Sequence, residues 1–183
     1  MGDDVALEKA LVDRLQRLAP APWQGIVYRH MLGDREPLLP NTRGARWNPP
    51  GVDTLYTSLE RATALAEGDH LIAMQPVPLR VKRVLHRIRV TLRSVLDLSE
   101  ATLLRELGVD ERALADPDHS ACRTVGHAVH WLEHDGLIIP SARANGRNLV
   151  VFVNNQDAQA ELEAIDSEII ADPGASGMDR NPA

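Results

Sequence analysis

Cysteine and aromatic residues are scarce in this chain. Its 183 residues include one cysteine, one phenylalanine, two tyrosines and three tryptophans. A single cysteine excludes an internal disulfide. The opening stretch MGDDVALEKA has neither the basic nor the apolar segment of a secretory leader. We therefore expect a protein of the reducing cytoplasm.

Long apolar runs and an excess of positive charge are also missing. No apolar stretch approaches the roughly 18 residues that a membrane span needs, so we expect no membrane contact. The chain has 20 basic and 26 acidic residues, a formal net charge of −6. This balance argues against binding along a nucleic-acid backbone and leaves any anion site to a local group of cations.

Several familiar active-site motifs are absent as well. The sequence contains no GxGxxG, GxxxxGK[ST], HExxH, CxxC or GxSxG, which removes support for the nucleotide-binding folds and hydrolases that depend on them. His127, His130 and His134 share one side of a predicted helix, but a polar stripe facing solvent explains them without a metal. We predict no metal site, and we expect Cys122 to be a small buried residue.

The order of the predicted elements indicates the α+β class. Strands and helices alternate irregularly, which favours a single domain with a mixed or antiparallel central sheet and flanking helices. We expect an N-terminal helix within residues 1–22, a main domain over 23–170 and a flexible tail over 171–183.

Turn residues and periodicity divide the main domain further. The predicted strands are GIVYRH, TLYTS, PLRVKRVLHRIRVTL with a bulge near Arg83, VLDLS, LIIP and NLVVFV, the last two joined through ANGRN. The predicted helices begin after an N-cap at Ser58, after an N-cap at Ser99 and at about Ser120, this third one reaching Asp135, and a last helix covers QDAQAELEAIDSEII.

A chain so poor in aromatic residues concentrates them in GARWNPPGVDTLYTS. Arg46 and Trp47 precede the turn-forming NPPG, Tyr56 lies in the next strand, and Arg29 ends the strand before the loop. Guanidinium groups suit bidentate contact with phosphate or carboxylate, and aromatic faces suit planar or cationic groups. The stretch therefore predicts either one ligand cleft or a packed loop anchor without a ligand.

Two further polar residues stand beside apolar segments. Glu67 follows ALA on a helix whose other inward positions are small and apolar, so it is either a carboxylate at the edge of an apolar cleft or a solvent-facing glutamate. Ser141 follows the apolar LIIP at a strand end, where functional side chains often gather, although PSA is also a common turn.

Five fragments together resemble one known family. VYRH, GARWNPPGVDTLYTS, ATALAEGDH, GLIIPSA and GRNLVVFVNN occur in the order and approximate spacing of the RES domain, named for Arg, Glu and Ser, from about Ile26 to Asn155. The resemblance implies a fold similar to ADP-ribosyltransferase toxins. It also implies cleavage of the nicotinamide–ribose bond of NAD+ by hydrolysis or phosphorolysis.

The same resemblance implies partners and substrates. NAD+ is then a substrate rather than a bound cofactor, with inorganic phosphate as co-substrate in phosphorolysis, and an Xre-like antitoxin neutralises the toxin, with a larger toxin–antitoxin oligomer as one form of the complex. Two alternatives stay open: mono-ADP-ribosyltransfer to a protein, and a domain that only binds a partner. His127 stands where relatives often carry an acidic residue, so antitoxin contact or packing there is expected to differ.

The resemblance also assigns roles to residues of this chain. The implied catalytic residues are Glu67, Arg46, Tyr56 and Ser141, and the implied substrate-binding residues are Arg29, Arg46, Trp47, Tyr56 and Asn148. NAD+ offers a pyrophosphate for arginines, flat rings for aromatic faces, and a ribosyl carbon that becomes positive as nicotinamide leaves. A carboxylate beside that carbon would stabilise it, as carboxylates do at sugar carbons in glycoside cleavage.

Overall fold

A six-stranded mixed sheet organises the chain, which a computed structural model describes for residues 8–75 and 81–171. The strand order is β1-β2-β5-β4-β3-β6, and β1 also pairs with β3, so the first five strands close into a ring. Only the β3–β4 pairing is parallel among the described strands. The strands are β1 Ala21–Leu32, β2 Thr54–Ser58, β3 Arg83–Asp97, β4 Gly136–Pro140, β5 Arg147–Phe152 and β6 Glu161–Ile170.

Five helices and one short 3-10 turn surround the sheet in the described ranges, which confirms the predicted α+β class. No helix there has the length and apolarity to cross a membrane. The helices are α1 Lys9–Leu15, α2 Arg61–Ala73, α3 Ala101–Glu106, α4 Glu111–Ala115 and α5 Ser120–Trp131, and the 3-10 turn is Val153–Asn155.

Strand alternation divides the buried side chains into two cores. All five strands of the ring contribute to one core, which includes Val27, Leu55 and Ile88 and fills the ring. The other core lies between the outer face of the sheet and the helices, and it includes Leu15 of α1 and Val129 of α5. A residue's parity along its strand therefore decides which side of the ring its side chain occupies.

Helix α2 packs very closely on β1 and β3. A Cβ atom on Gly68 would overlap Nδ1 of His30, so the helix can approach this far only with glycine at that position. Arg83 is buried, forms an ion pair with Asp69 and donates from Nε to Nε2 of His30 at 3.2 Å. These contacts hold α2 over the face of β1 that carries His30.

Helix α5 makes a comparable approach to the loop between β1 and β2. A Cβ atom on Gly126 would overlap the carbonyl oxygen of Trp47, a backbone atom that cannot rotate away. The Trp47 side chain is 1% exposed and belongs to the outer core. The loop also pairs with β2 through a bridge between Asn41 and Thr54. The long loop is therefore ordered.

The predicted last helix is wrong, because Glu161–Ile170 forms strand β6. Its acidic residues, which resemble the polar face of a helix, pair instead with arginines of the neighbouring strand. Asp166 accepts from Arg87 at 2.8 Å and Glu163 pairs with Arg89. Pairing with β3, to which these cross-strand ion pairs add, thus decides the structure of this segment, and local periodicity does not register it.

Several predicted boundaries also need correction. VLDLS is not a separate strand, since β3 continues through it to Asp97. The register of the β3–β6 pairing shifts between Arg87 and Ile88 rather than near Arg83. Ser58 ends β2 and caps no helix. Ser99 likewise lies one residue before the N-cap of α3.

The remaining differences concern helix ends. The N-caps of α2 and α3 are Glu60 and Glu100. Helix α5 ends at Trp131 rather than Asp135, and α4 is an element that the sequence does not predict. The ANGRN turn does join two antiparallel strands, β4 and β5, as expected. The start of the predicted first helix and nearly all of the predicted tail lie outside the described residues.

Substituting Gly68→Ala should destabilise the protein although alanine favours a helix by about 1 kcal/mol over glycine. The new methyl group meets a histidine ring that Arg83 holds in place. Overpacking of this kind costs about 1–3 kcal/mol, so we expect a net loss in the free energy of unfolding measured in urea. In a His30→Ala background the same substitution should be neutral or stabilising. Equal effects in the two backgrounds would contradict the close approach.

Candidate functional site

The carboxylate of Glu67 receives two hydrogen bonds, one from the residue that follows β4 and one from β5. Ser141 donates from Oγ to Glu67 Oε1 at 2.6 Å, and Asn148 donates from Nδ2 to the same oxygen at 2.9 Å. The second oxygen, Oε2, has no hydrogen-bond partner among the described residues. The carboxylate is therefore held in one orientation with one oxygen available to a ligand.

Both donors are themselves oriented by further hydrogen bonds. Ser58 donates from Oγ to Asn148 Oδ1 at 2.7 Å, which turns the amide nitrogen of Asn148 toward Glu67. The Ser141 hydroxyl oxygen accepts from the backbone N–H groups of Arg143 at 3.0 Å and Ala144 at 3.2 Å. Its own proton thus points at the carboxylate. We call Ser58, Glu67, Ser141 and Asn148 the carboxylate cluster.

The sheet register explains why these residues meet. Ser58 of β2 is the direct partner of Asn148 of β5, and Asn148 in turn faces Ile139 of β4. Ser141 comes immediately after β4, and Ser58 also pairs with Tyr28 of β1. Four strands therefore converge beneath α2. The family resemblance predicts Glu67, Ser141 and Asn148 as site residues, whereas the sequence suggests for Ser58 only a helix cap.

Tyr56 holds the backbone of the long loop. Its hydroxyl accepts from the N–H of Trp47 at 2.9 Å and donates to Asn48 Oδ1 at 2.8 Å. Asn48 donates onward to the carbonyl of Val52 at 2.7 Å and is fully buried. Burial raises the pKa of the Tyr56 phenol, so it stays neutral in this network. The phenol hydroxyl is thus committed to the loop that carries Arg46.

Trp47 does not form the aromatic wall of a cleft, which corrects its predicted contact with a ligand. Its indole is buried in the outer core, where it offers no face to a bound molecule. Of the two interpretations that the sequence leaves open, the packed loop anchor describes Trp47. The hydrophobic gain from burying so large a ring explains this arrangement.

Arg46 lies among other cations. Its Nη1 donates to the carbonyls of Ala113 at 3.3 Å and Asp116 at 3.2 Å, at the end of α4. Burial lowers the pKa of His119, and so do the positive charges of Arg46, Arg123 and Arg143. We call Arg46, His119, Arg123 and Arg143 the cation group.

The cation group adjoins the carboxylate cluster through Arg143, which lies two residues after Ser141. Sequence reasoning missed three of its members, since Arg143 has no motif that connects it to Ser141 and neither His119 nor Arg123 belongs to a motif. Their proximity depends on how α5 and the turn after β4 pack, and the spacing of residues along the chain does not contain that information.

Arg29 lies apart from the carboxylate cluster. It pairs with His86 on β3 and shares the parity of Val27, so its side chain is on the opposite face of β1 from Tyr28. The guanidinium donates to the carbonyl of Pro37 at 2.7 Å. Burial lowers the pKa of Arg29 to about 10, which still leaves it positively charged at neutral pH. The structure therefore does not bring Arg29 and Glu67 together.

A groove of about 640 Å³ runs beside the cluster, between α3, α4 and the turn that joins β4 to β5. Its volume falls in the range of about 300–1,000 Å³ that small-molecule sites occupy. Ser141 belongs to both the groove and the cluster, and the groove lining also includes Leu104, Asp110, Leu114, Asn145 and Arg147. A ligand in the groove would therefore meet Ser141, the residue that donates to the Glu67 carboxylate.

His130 of α5 and His134 just after it make contacts within the fold. His134 Nδ1 is 2.7 Å from Ser94 Oγ, and the His130 ring meets Phe152 edge-on. Over the described ranges, no group of three histidine, cysteine or acidic side chains could hold a metal ion. Cys122 is buried, and burial raises the pKa of its thiol, which disfavours a reactive thiolate.

Comparison with known proteins identifies the family. The RES domain profile matches residues 12–172, and the chain therefore belongs to the RES domain family. The NAD(+) phosphorylase MbcT of Mycobacterium tuberculosis (strain ATCC 25618 / H37Rv) is 29% identical over 161 residues, 82% of this chain and 84% of that protein. The protein of the same name from Mycobacterium bovis gives the same values.

A solved structure matches the fold. The crystal structure of the M. tuberculosis MbcT–MbcA toxin–antitoxin complex contains a chain that superposes with a TM-score of 0.80 and 27% identity. The superposition covers 90% of this chain and 94% of that chain. The fold described above is therefore that of a known member of the family.

Replacing Tyr56 with phenylalanine should loosen the loop, because the buried Trp47 N–H and Asn48 side chain each lose a partner. Unsatisfied buried polar groups cost about 1–3 kcal/mol each, so we expect the free energy of unfolding to fall by at least that amount. Tyr28→Phe is the matched control, since its hydroxyl has no hydrogen-bond partner in the described chain. Equal stability of the two variants in urea would contradict the role of Tyr56.

Proposed function

We propose that this chain is the NAD+-degrading toxin of a toxin–antitoxin pair, and that it cleaves the nicotinamide–ribose bond with inorganic phosphate as the acceptor. One observation carries the proposal: Glu67 is fixed by Ser141 and Asn148 with one oxygen unpartnered, within the described residues, beside a ligand-sized groove. The 29% identity to an NAD(+) phosphorylase supports it. We further propose that the fold is related to that of ADP-ribosyltransferase toxins.

The reaction needs a negative group at the ribosyl carbon. When the carbon–nitrogen bond breaks, nicotinamide leaves as a neutral molecule with the bonding electron pair, and the ribosyl carbon becomes positively charged. Glu67 would stabilise this centre through its available oxygen while a phosphate oxygen attacks the carbon. The products are nicotinamide and an ADP-ribose that carries phosphate at its former nicotinamide position.

The other proposed site residues act on charge and position. Ser141 and Asn148 orient the carboxylate, and Arg46 offers its cation to a phosphate of the reactants. Tyr56 contributes by holding the loop of Arg46 in place. The proposal does not depend on Arg29, whose guanidinium is directed to the other face of β1.

Replacement of Glu67 by glutamine should abolish the activity while the protein stays folded. Removing one oriented electrostatic group from such a site typically costs on the order of 10²- to 10³-fold in rate. We expect a loss of that size in NAD+ consumption by purified protein in phosphate buffer. Glu163→Gln, on β6, is the matched control and should keep full activity. Full turnover by Glu67→Gln would refute the assignment.

The identity of the product tests the acceptor. With NAD+ labelled in its adenine part, phosphorolysis gives a phosphorylated ADP-ribose, and this result supports the proposal. Free ADP-ribose would indicate hydrolysis, and label on a protein would indicate mono-ADP-ribosyltransfer. Unchanged NAD+ would favour a domain that only binds a partner. Each of these three results contradicts phosphate as the acceptor.

We also propose an Xre-like antitoxin and assembly into a larger complex in the cytoplasm, where NAD+ is available. The support is that the similar solved structure is a toxin–antitoxin complex. Induced expression in bacteria should deplete NAD+ and stop growth, and co-expression of a neighbouring gene's product should relieve both effects. Light scattering of the co-purified proteins measures the size of the assembly.

A further inference from the structure

We propose that the cation group, Arg46, His119, Arg123 and Arg143, is a subsite that binds a phosphoryl group beside the carboxylate cluster. The inference rests on the proposed function and names the part of the site that recognises its anionic reactants. It adds His119, Arg123 and Arg143, which come from the N-terminal end of α5 and from the turn after β4, to the site.

The geometry connects this group to the reacting carboxylate in two steps. The backbone N–H of Arg143 donates to Ser141 Oγ at 3.0 Å, and Ser141 donates to Glu67 at 2.6 Å. On the other side, Arg123 donates from Nε to the carbonyl of Ala45 at 3.3 Å, directly before Arg46. Arg123 therefore contacts the loop beside Arg46, and the positive charges of Arg46, Arg123 and Arg143 all act on His119, so the four cations lie near one another.

The arginines of this group differ in their partners from six other arginines of the described chain. Six arginines of α2, β3 and β5 form ion pairs with carboxylates, among them Arg61 with Glu168 and Arg87 with Asp166. Arg46, Arg123 and Arg143 form none within the part of the chain that the structure describes. Their guanidinium groups are partly exposed and have no carboxylate partner there, so an anion can join them without displacing an ion pair.

The contacts that these arginines do make leave most of their donors available. A guanidinium has five N–H donors. Arg46 donates from Nη1 and Arg123 from Nε, each to backbone carbonyls, and the Arg143 side chain donates to no described atom. Asp118, the nearby acid, accepts from the backbone N–H of Ser120 at 2.9 Å and from its hydroxyl at 3.0 Å. Asp118 thus holds the start of α5, and its negative charge also acts on His119 and Arg123, although it forms no ion pair with either in the described chain.

Two reactants could supply the phosphoryl group. Inorganic phosphate and the pyrophosphate of NAD+ present the same charged oxygens, and the geometry of the cations suits both. A subsite for the acceptor should affect only the use of phosphate. A subsite for the dinucleotide should affect only the use of NAD+.

The test uses Arg123→Gln, Arg143→Gln and His119→Gln of the full chain, with Arg89→Gln on β3 as the matched control. Arg89 already pairs with Glu163, far from the group, and its variant should behave as the wild type. Loss of one charge-assisted contact should raise the affected KM about tenfold or more. We expect this rise in KM for phosphate or in KM for NAD+, with thermal unfolding unchanged. Unchanged KM values for both substrates would overturn the inference.

A binding measurement separates this inference from the proposed reaction. Calorimetric titration with inorganic phosphate and with pyrophosphate needs no turnover, and Glu67→Gln protein should bind the anion as the wild type does. If the wild type binds an anion, and the arginine variants bind about tenfold more weakly, the subsite holds even where no NAD+ is consumed. If NAD+ is consumed but the Arg123 and Arg143 variants bind the anion as tightly as the wild type, the proposed function is supported and the proposed subsite is contradicted.

Discussion

The close approach of α2 to β1 determines where the Glu67 carboxylate lies. Three consecutive residues share this task, since Glu67 enters the site, Gly68 permits the contact with His30, and Asp69 pairs with the buried Arg83. A rotation of the helix by one residue would move the carboxylate about 100° around its axis, away from Ser141 and Asn148. The chemistry of the site thus depends on a packing constraint that has no chemical role itself.

In the segment GARWNPPGVDTLYTS, too, the aromatic side chains hold the backbone in position and another residue carries the charge. The aromatic side chains of GARWNPPGVDTLYTS order the loop, Trp47 by burial of its ring and Tyr56 by hydrogen bonds of its hydroxyl. Gly126 lets α5 touch the backbone at Trp47. With its backbone held from both sides, the loop places Arg46 beside the other members of the cation group. A loop of many prolines needs such anchors because it has few backbone hydrogen bonds of its own.

The sequence predicts the elements of the fold better than their pairing. The α+β class, β2, β4 and β5 follow from turn signals and apolar runs, and the family resemblance by itself assigns Glu67, Ser141 and Asn148 to one site. β6 and the face of Arg29 could not be predicted, because both depend on which strand lies beside which. The cation group could not be predicted from the sequence either, because its members come from segments that only tertiary packing brings together.

The distribution of charge completes the argument. The acids of β6 pair with arginines of β3 and α2, so the cations on that side of the fold are neutralised. The cations of the loop, of α5 and of the turn after β4 are left without carboxylate partners beside Glu67 in the described chain. The net negative charge of the protein repels an anionic dinucleotide, but salt screens this repulsion at long range. Cations gathered at one place can still attract the anion at contact distance, which requires that acidic and basic side chains be separated in this way. The pairing of β6 with β3 therefore holds the acidic side chains of β6 beside arginines of β3 and α2. These acidic side chains do not neutralise the cation group.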